Sequence, residues 1–211
     1  MNLLMDSKSL IKHYQKLYHE FGASAKAVQW ADKQTQYKRF DVLSAVFDQP
    51  GSVLDVGCGL GDYYHYLRSK GQNCHYLGVD PVPEFVDHAN RIMHDDPEAS
   101  AKIVDPGTQL PSGFDYVILS GVFNNVREDN WGFMTTMIQN MYQVATHAIA
   151  FNAMSTHVEY QDDNLFYVDP MDVFSFCKTE LGGNPILRHD YVLKDGGYPF
   201  EFSMYVHKEL R

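Results

Sequence analysis

The stretch Val53-Leu54-Asp55-Val56-Gly57-Cys58-Gly59-Leu60-Gly61-Asp62 decides how the rest of this chain is interpreted. The apolar run over 52–56 predicts a short buried strand. Three glycines follow at alternate positions, and an amphipathic run from Asp62 then stops at Gly71, as a helix does. A strand, a glycine turn and a helix in this order are typical of the first unit of a nucleotide-binding α/β fold, where a ligand must approach bare backbone.

Two acids in this stretch distinguish between nucleotide ligands. The dinucleotide fingerprint G-x-G-x-x-G requires glycine at the position that Asp62 occupies. Asp55, at the end of the strand, would repel a pyrophosphate and suits a ligand with positive charge. The stretch resembles the first motif of the class I S-adenosylmethionine-dependent methyltransferases, acid-x-G-x-G-x-G, which is complete here as Asp55, Gly57, Gly59 and Gly61. S-adenosylmethionine carries a sulfonium and an ammonium group and no phosphate.

A further acid lies at the end of the next expected strand. The run 73–80 predicts that strand, and Asp80 follows Gly61 by 19 residues, close to the spacing of a ribose-binding carboxylate. The alternative is a simple βαβ turn in which Asp80 only caps a helix. An NAD-type oxidoreductase is disfavoured by Asp55 and Asp62.

The resemblance implies an S-adenosylmethionine site at the carboxyl ends of the strands. It places Pro81 and Val82 against the adenine, brings Asp105 or a neighbour to the adenine amino group, and puts the loop from Ser120 beside the methyl group. For Asp105, a turn residue before Pro106-Gly107 remains the alternative. The cofactor-binding residues expected in all are Asp55, Gly57, Cys58, Gly59, Gly61, Asp80, Pro81, Val82, Asp105 and Ser120.

The sequence predicts an α/β fold with a doubly wound, mostly parallel sheet of seven strands. Parallel strands are expected over 52–56, 73–80, 101–104, 113–120 and 147–153. The runs 185–193 and 199–207, joined by a glycine turn over 194–198, predict an antiparallel hairpin at the C-terminus. Such a closing hairpin favours the methyltransferase topology over an NAD-binding domain.

We expect one domain over 1–211, with an α/β core over 51–211 and an N-terminal helical cap over 1–50. Three helical segments are predicted in the cap: one that starts at Asp6 and ends near Gly22, one over 24–31, and one that stops before Pro50. The resemblance implies that a polar or aromatic residue of the cap reaches over the cofactor, and Trp30, Gln34 and Arg39 are the candidates. The alternative is that Trp30 packs in the core and Arg39 is solvated.

The composition limits the partners and the compartment. The formal net charge of −10 disfavours non-specific binding to nucleic acid or to an anionic membrane. The three cysteines show no disulfide or zinc spacing, which fits a reducing cytoplasm. Residues 1–8 show no signal-peptide core, and no run approaches a membrane span. No metal motif or other catalytic motif is found, so no metal is expected.

The function expected from the resemblance is methyl transfer from S-adenosylmethionine to a small acceptor. Aromatic residues at the N-terminus, in the loop 154–169 and near Tyr198 suggest an enclosed acceptor pocket; core packing is the alternative. No catalytic base can be assigned, although Asn124, Asn125, Tyr160 and His157 are placed plausibly. An inactive methyltransferase-like subunit, and a methyltransferase of protein or RNA, remain open alternatives.

Overall fold

The computed structural model describes residues 7–29, 32–105 and 108–209 of the 211-residue chain. Its centre is a mixed sheet with the strand order β3-β2-β1-β4-β5-β8-β7, and the short β6 pairs with β5 beside this path. The strands are β1 (Val53–Val56), β2 (Tyr76–Asp80), β3 (Ala99–Ile103), β4 (Phe114–Leu119), β5 (Ala145–Ser155), β6 (Tyr167–Val168), β7 (Asn184–Arg188) and β8 (Glu201–His207).

The first five strands pair in parallel, and β8 runs antiparallel between β5 and β7. The central strands are buried on both faces, as their continuous apolar runs indicate. The predicted fold class, a doubly wound sheet of seven main strands closed by an antiparallel pair, is confirmed.

Helices cover the two faces of the sheet and begin at recognisable capping residues. The side chains of Asp32, Asp129 and Asp169 accept hydrogen bonds from backbone N–H groups in the first turns of their helices, and Pro83 stands in the first turn of another. The helices are α1 (Ser7–Phe21), α2 (Lys33–Ser44), α3 (Asp62–Ser69), α4 (Pro83–Met93), α5 (Asn130–Val144) and α6 (Pro170–Thr179), with a 3₁₀ turn over Val122–Asn124.

Two apolar cores lie on opposite faces of the sheet. One packs α5 and α6 against the sheet through residues such as Met137, Val173 and Phe151. The other packs α2, α3 and α4 through residues such as Phe40 and Leu67. Because both faces are covered, the open ends of the strands are left as the place where a ligand can enter.

Some predicted boundaries are wrong. The segment 24–29 forms turns, because Gly22 and Gln29 adopt left-handed backbone angles and Ala27 is buried against the glycine loop. The helix start at Asp6 and the prediction for Trp30 lie outside the described residues. The link between β7 and β8 runs from 189 to 200, so it is longer than the expected glycine turn over 194–198. β5 continues to Ser155 because β8 pairs with it as far as Met154.

Candidate active site

A cavity lies at the carboxyl ends of β1, β2 and β4. Its floor is the glycine loop after β1, and its walls are the segments that follow β2 and β4. Helix α1 covers it with Leu10, Ile11 and Tyr14, and Val28 from the following turn completes the cover. Open α/β sheets bind ligands at this position, next to the point where the strand order reverses.

The glycine loop presents bare backbone to the cavity at Gly57 and Gly59. Both residues have left-handed backbone angles, φ 77° and 53°, which side chains disfavour. A Cβ atom at Gly57 would lie 2.5 Å from Val122, and a Cβ atom at Gly59 would lie 3.3 Å from Val28. A side chain at Gly57 would therefore clash with Val122, and one at Gly59 would press against Val28.

Gly61 allows close packing between two helices instead of facing the cavity. It lies outside the cavity lining, and a Cβ atom there would lie 2.9 Å from Ile92 of α4. The third glycine of the motif thus allows the start of α3 to pack closely against α4.

Asp80 at the end of β2 is fully buried in the cavity wall. Its Oδ2 accepts a hydrogen bond of 3.0 Å from the Gly59 amide, and its Oδ1 accepts one of 2.9 Å from the Val82 amide. Burial raises the pKa of this carboxyl to about 6, although the two amides act in the opposite direction. The amides fix the carboxylate, and each oxygen keeps acceptor capacity for a ligand.

Asp55 is the second buried carboxyl of the cavity. Burial raises its pKa to about 7, the Tyr76 hydroxyl that donates to it acts in the opposite direction, and the nearby Asp80 raises it further. A bound cation would relieve this cost, because it stabilises the ionised form of both acids.

The cavity lining carries four acids and one base among the residues that the structure describes. The acids are Asp55, Asp62, Asp80 and Asp105, and the base is Arg127. Arg127 lies with its guanidinium carbon 3.7 Å from the centre of the Phe133 ring, and burial lowers its pKa. An excess of carboxylates favours a cationic ligand and disfavours phosphates.

Nine of the ten predicted binding residues line this one cavity, and Gly61 is the exception. The nine are Asp55, Gly57, Cys58, Gly59, Asp80, Pro81, Val82, Asp105 and Ser120. The Cys58 side chain is buried against β2, where a Cβ atom at Gly78 would lie 2.7 Å from its Sγ. The Ser120 Oγ is shielded from solvent and has no hydrogen-bond partner in the described part of the chain.

Other predicted residues lie elsewhere. Arg39 does not line the cavity as predicted, and it is buried against Glu201, so the alternative that it is solvated is also wrong. Of the aromatic residues proposed for an acceptor pocket, Tyr14 lines the cavity, whereas Tyr160 and Tyr198 are largely exposed. Asn125 lines the cavity and donates to the Tyr14 hydroxyl, while Tyr160 and His157 do not line it.

Sequence reasoning missed several lining residues, among them Gln36, Arg127 and Phe133. Gln36 lies on α2, where its amide donates to Asp62 Oδ2 at 3.2 Å. In the sequence, this pair is indicated only by Asp62, which stands where the dinucleotide fingerprint has glycine. Arg127 gave no signal, because its position depends on how the loop after β4 returns across the strand ends.

Comparison with known proteins identifies the family. Residues 54–147 match the model of a methyltransferase domain. The chain is 30% identical over 166 residues to a putative methyltransferase of Mycobacterium tuberculosis, covering 75% of this chain and 94% of the relative. It is 34% identical over 80 residues to the tRNA U34 carboxymethyltransferase of Pseudoalteromonas translucida, covering 36% of this chain and 24% of that protein.

The fold is also that of a solved methyltransferase. The magnesium protoporphyrin IX methyltransferase of Synechocystis PCC 6803, crystallised with bound S-adenosylmethionine, superimposes with a TM-score of 0.70. The match covers 99% of this chain and all of that one, at 14% identity.

A nucleotide-type cavity at the strand ends of a doubly wound sheet, with an antiparallel strand inserted near its edge, defines a methyltransferase-type fold. The chain belongs to the class I S-adenosylmethionine-dependent methyltransferases. The enzyme class and the cofactor that the glycine motif implied are thereby confirmed. Within the described residues, none of the helices has the length and apolarity needed to cross a membrane.

Proposed function

We propose that this protein binds S-adenosylmethionine in the cavity and transfers its methyl group to a small-molecule acceptor. The observation that carries the proposal is the charge of the lining, four carboxylates against one guanidinium. Such a cavity attracts the cationic cofactor and repels phosphate-rich acceptors. The chain would act as one domain, in the cytoplasm, where its three free cysteines stay reduced.

The residues fit the cofactor in three places. Asp80 would accept hydrogen bonds from the two ribose hydroxyls, because its carboxylate is already held by two amides and keeps acceptor capacity. The bare backbone at Gly57 and Gly59 and the segment at Ser120 would hold the methionine portion. Pro81, Val82 and Asp105, which line the cavity, would hold the adenine.

When bound, the cofactor supplies a methyl group activated by the sulfonium. The protein's own task is to align the acceptor with that methyl group and to keep water away. Helix α1 and Val28 close the cavity on one side, and Asp55 lies buried in the wall, where its charge favours a cation. An acceptor that loses its proton on transfer would need a base, and Asn125 is the one earlier candidate that lines the cavity. An amide is no base, so Asn125 could orient an acceptor but could not take its proton.

An RNA acceptor is the second candidate. It is favoured by the 80-residue similarity to a tRNA carboxymethyltransferase. The acidic lining and the net charge of −10 argue against it. A subunit that binds the cofactor without catalysis is the third.

Two measurements test the proposal. Thermal shift should show stabilisation by S-adenosylmethionine and S-adenosylhomocysteine and none by NAD. Labelled methyl transfer from S-adenosylmethionine should then appear with members of a small-molecule panel and not with bulk tRNA or peptides. Binding without turnover on any acceptor would identify a non-catalytic subunit, and labelled tRNA would identify an RNA methyltransferase.

A further inference from the structure

Beside the cavity lies a second group of polar side chains, buried in and against the sheet. Of its members, only Arg39 is among the residues predicted for the site. Its members come from four separate parts of the chain: Arg39 of α2, Asn152 of β5, Tyr191 of the β7–β8 link, and Glu201 and Ser203 of β8. All are at least nine-tenths buried, with exposed fractions between 1% and 9%. Polar groups at this depth are costly unless they are paired, so their arrangement is specific.

Glu201 is the centre of this group. Its Oε2 accepts from Arg39 Nε at 2.8 Å, and its Oε1 accepts from Asn152 Nδ2 at 3.2 Å and from the Tyr191 hydroxyl at 3.1 Å. The Tyr191 hydroxyl also lies 2.9 Å from Ser203 Oγ. A carboxylate can only accept, so the amide of Asn152 must turn its nitrogen toward Glu201.

The other end of Asn152 leads to the cavity. Its Oδ1 accepts a hydrogen bond of 2.8 Å from the backbone N–H of Gly121, the residue after Ser120. Gly121 has a left-handed backbone angle of 74° and lines the cavity. Asn152 therefore joins the buried ion pair to the cavity wall.

We propose that Asn152 is a positioning residue for the methionine end of the cofactor site. By holding the Gly121 N–H, it fixes the backbone turn that carries Ser120 at the cavity wall. Glu201, which is paired with Arg39, orients the Asn152 amide. The packing of α2 on the sheet brings Arg39 to Glu201, so this packing also affects the backbone conformation of the turn after β4. This inference rests on the proposed cofactor site and adds to it a residue that contacts no ligand.

Three facts support a positioning role over a purely structural one. Asn152 satisfies a backbone donor in the cavity wall, whereas Ser203, which lies directly opposite it on β8, bonds within the group. The turn it holds carries Ser120, a cavity-lining residue whose buried Oγ has no hydrogen-bond partner among the described residues. Both hydrogen-bonding groups of the amide are used, which leaves one rotamer and one orientation.

The test is a double-mutant cycle on cofactor affinity. Asn152→Ala should weaken the binding of S-adenosylhomocysteine about tenfold, as the loss of one well-placed hydrogen bond does. Ser120→Ala should weaken it as well. If Asn152 acts through Ser120, the dissociation constant of the double variant should not exceed the larger of the two single-variant dissociation constants.

Ser203→Ala is the matched control, because Ser203 is equally buried and lies at the same level of the sheet. It should lower the melting temperature and leave the dissociation constant within about twofold of the wild type. Asn152→Ser, whose side chain is too short to bridge both partners, replaces Asn152→Ala if that variant does not fold.

The outcomes separate this inference from the proposed function. Wild-type protein that fails to bind S-adenosylhomocysteine would overturn both. Wild-type binding with an unchanged affinity in Asn152→Ala, an equal loss in Ser203→Ala, or additive losses in the double variant would overturn the positioning role and leave the cofactor site in place. Weakened binding in Asn152→Ala, absent from Ser203→Ala and not additive with Ser120→Ala, supports it.

Discussion

The hydroxyl of Tyr76 donates a hydrogen bond of 2.6 Å to Oδ2 of Asp55, and both residues are buried. Tyr76 begins β2, and Asp55 lies in the next strand, β1. This bond stabilises the ionised form of the acid whose pKa burial raises to about 7. The charge of the cavity near neutral pH therefore depends on a tyrosine that does not line it.

Tyr76→Phe should raise the pKa of Asp55 above about 7, because the ionised form loses its donor. Carboxyl NMR titration of the ligand-free protein measures this pKa directly. Tyr64→Phe is the control, since its hydroxyl bonds to Asp96, away from the cavity. An unchanged titration of Asp55 in Tyr76→Phe would contradict the assignment.

The stability of the ligand-free protein should fall as pH rises through the range in which the buried acids ionise. Burial raises the pKa of Asp55 to about 7 and that of Asp80 to about 6, whereas both are near 3.8 when unfolded. At a pH between the unfolded and the folded pKa of each acid, the folded state binds more protons than the unfolded state. The free energy of unfolding therefore decreases as the pH rises, by up to about 1.4 kcal/mol per pH unit for each group.

Urea unfolding between pH 5 and pH 8 checks this slope. Asp55→Asn should flatten it, because asparagine does not titrate. Saturating S-adenosylmethionine should reduce or reverse it, since the cation favours the ionised acids. A ligand-free protein that becomes more stable toward pH 8 would show that other groups dominate.

Asp80→Ala should weaken the binding of S-adenosylhomocysteine by about 1.5–3 kcal/mol, the range for hydrogen bonds to a charged group. Calorimetry measures the change. Asp87→Ala removes the same charge from an exposed position on α4 and should leave the affinity unaltered. Equal affinities in the two variants, with the fold intact, would remove Asp80 from the site.

Gly59→Val should abolish cofactor binding while the circular dichroism spectrum stays near that of the wild type. A side chain there strains a left-handed backbone and meets Val28. Gly71→Val is the matched control, because Gly71 is also left-handed but has no atom within 4 Å of an added Cβ. If both variants lose binding equally, backbone strain alone explains the effect and the loop need not face the ligand.

The sequence by itself determined the family and most of the cavity floor. The strand, the glycines and the acids at 55 and 80 are local in sequence, and their spacing alone specifies a turn with bare backbone. Strand ends that meet at one edge of a parallel sheet also bring Pro81, Asp105 and Ser120 together, so their grouping could be predicted without coordinates.

Tertiary structure alone decided the rest of the site. The sequence suggested that Arg39 lies over the cofactor. Its partner Glu201 is 162 positions away, and no local sequence pattern predicts such a pair. The same holds for Arg127 in the cavity and for Asn152 beside it, whose roles arise where the loop after β4 crosses the sheet. Local spacing specifies a turn, whereas the environment of a buried charge is set by segments that meet only when the chain has folded.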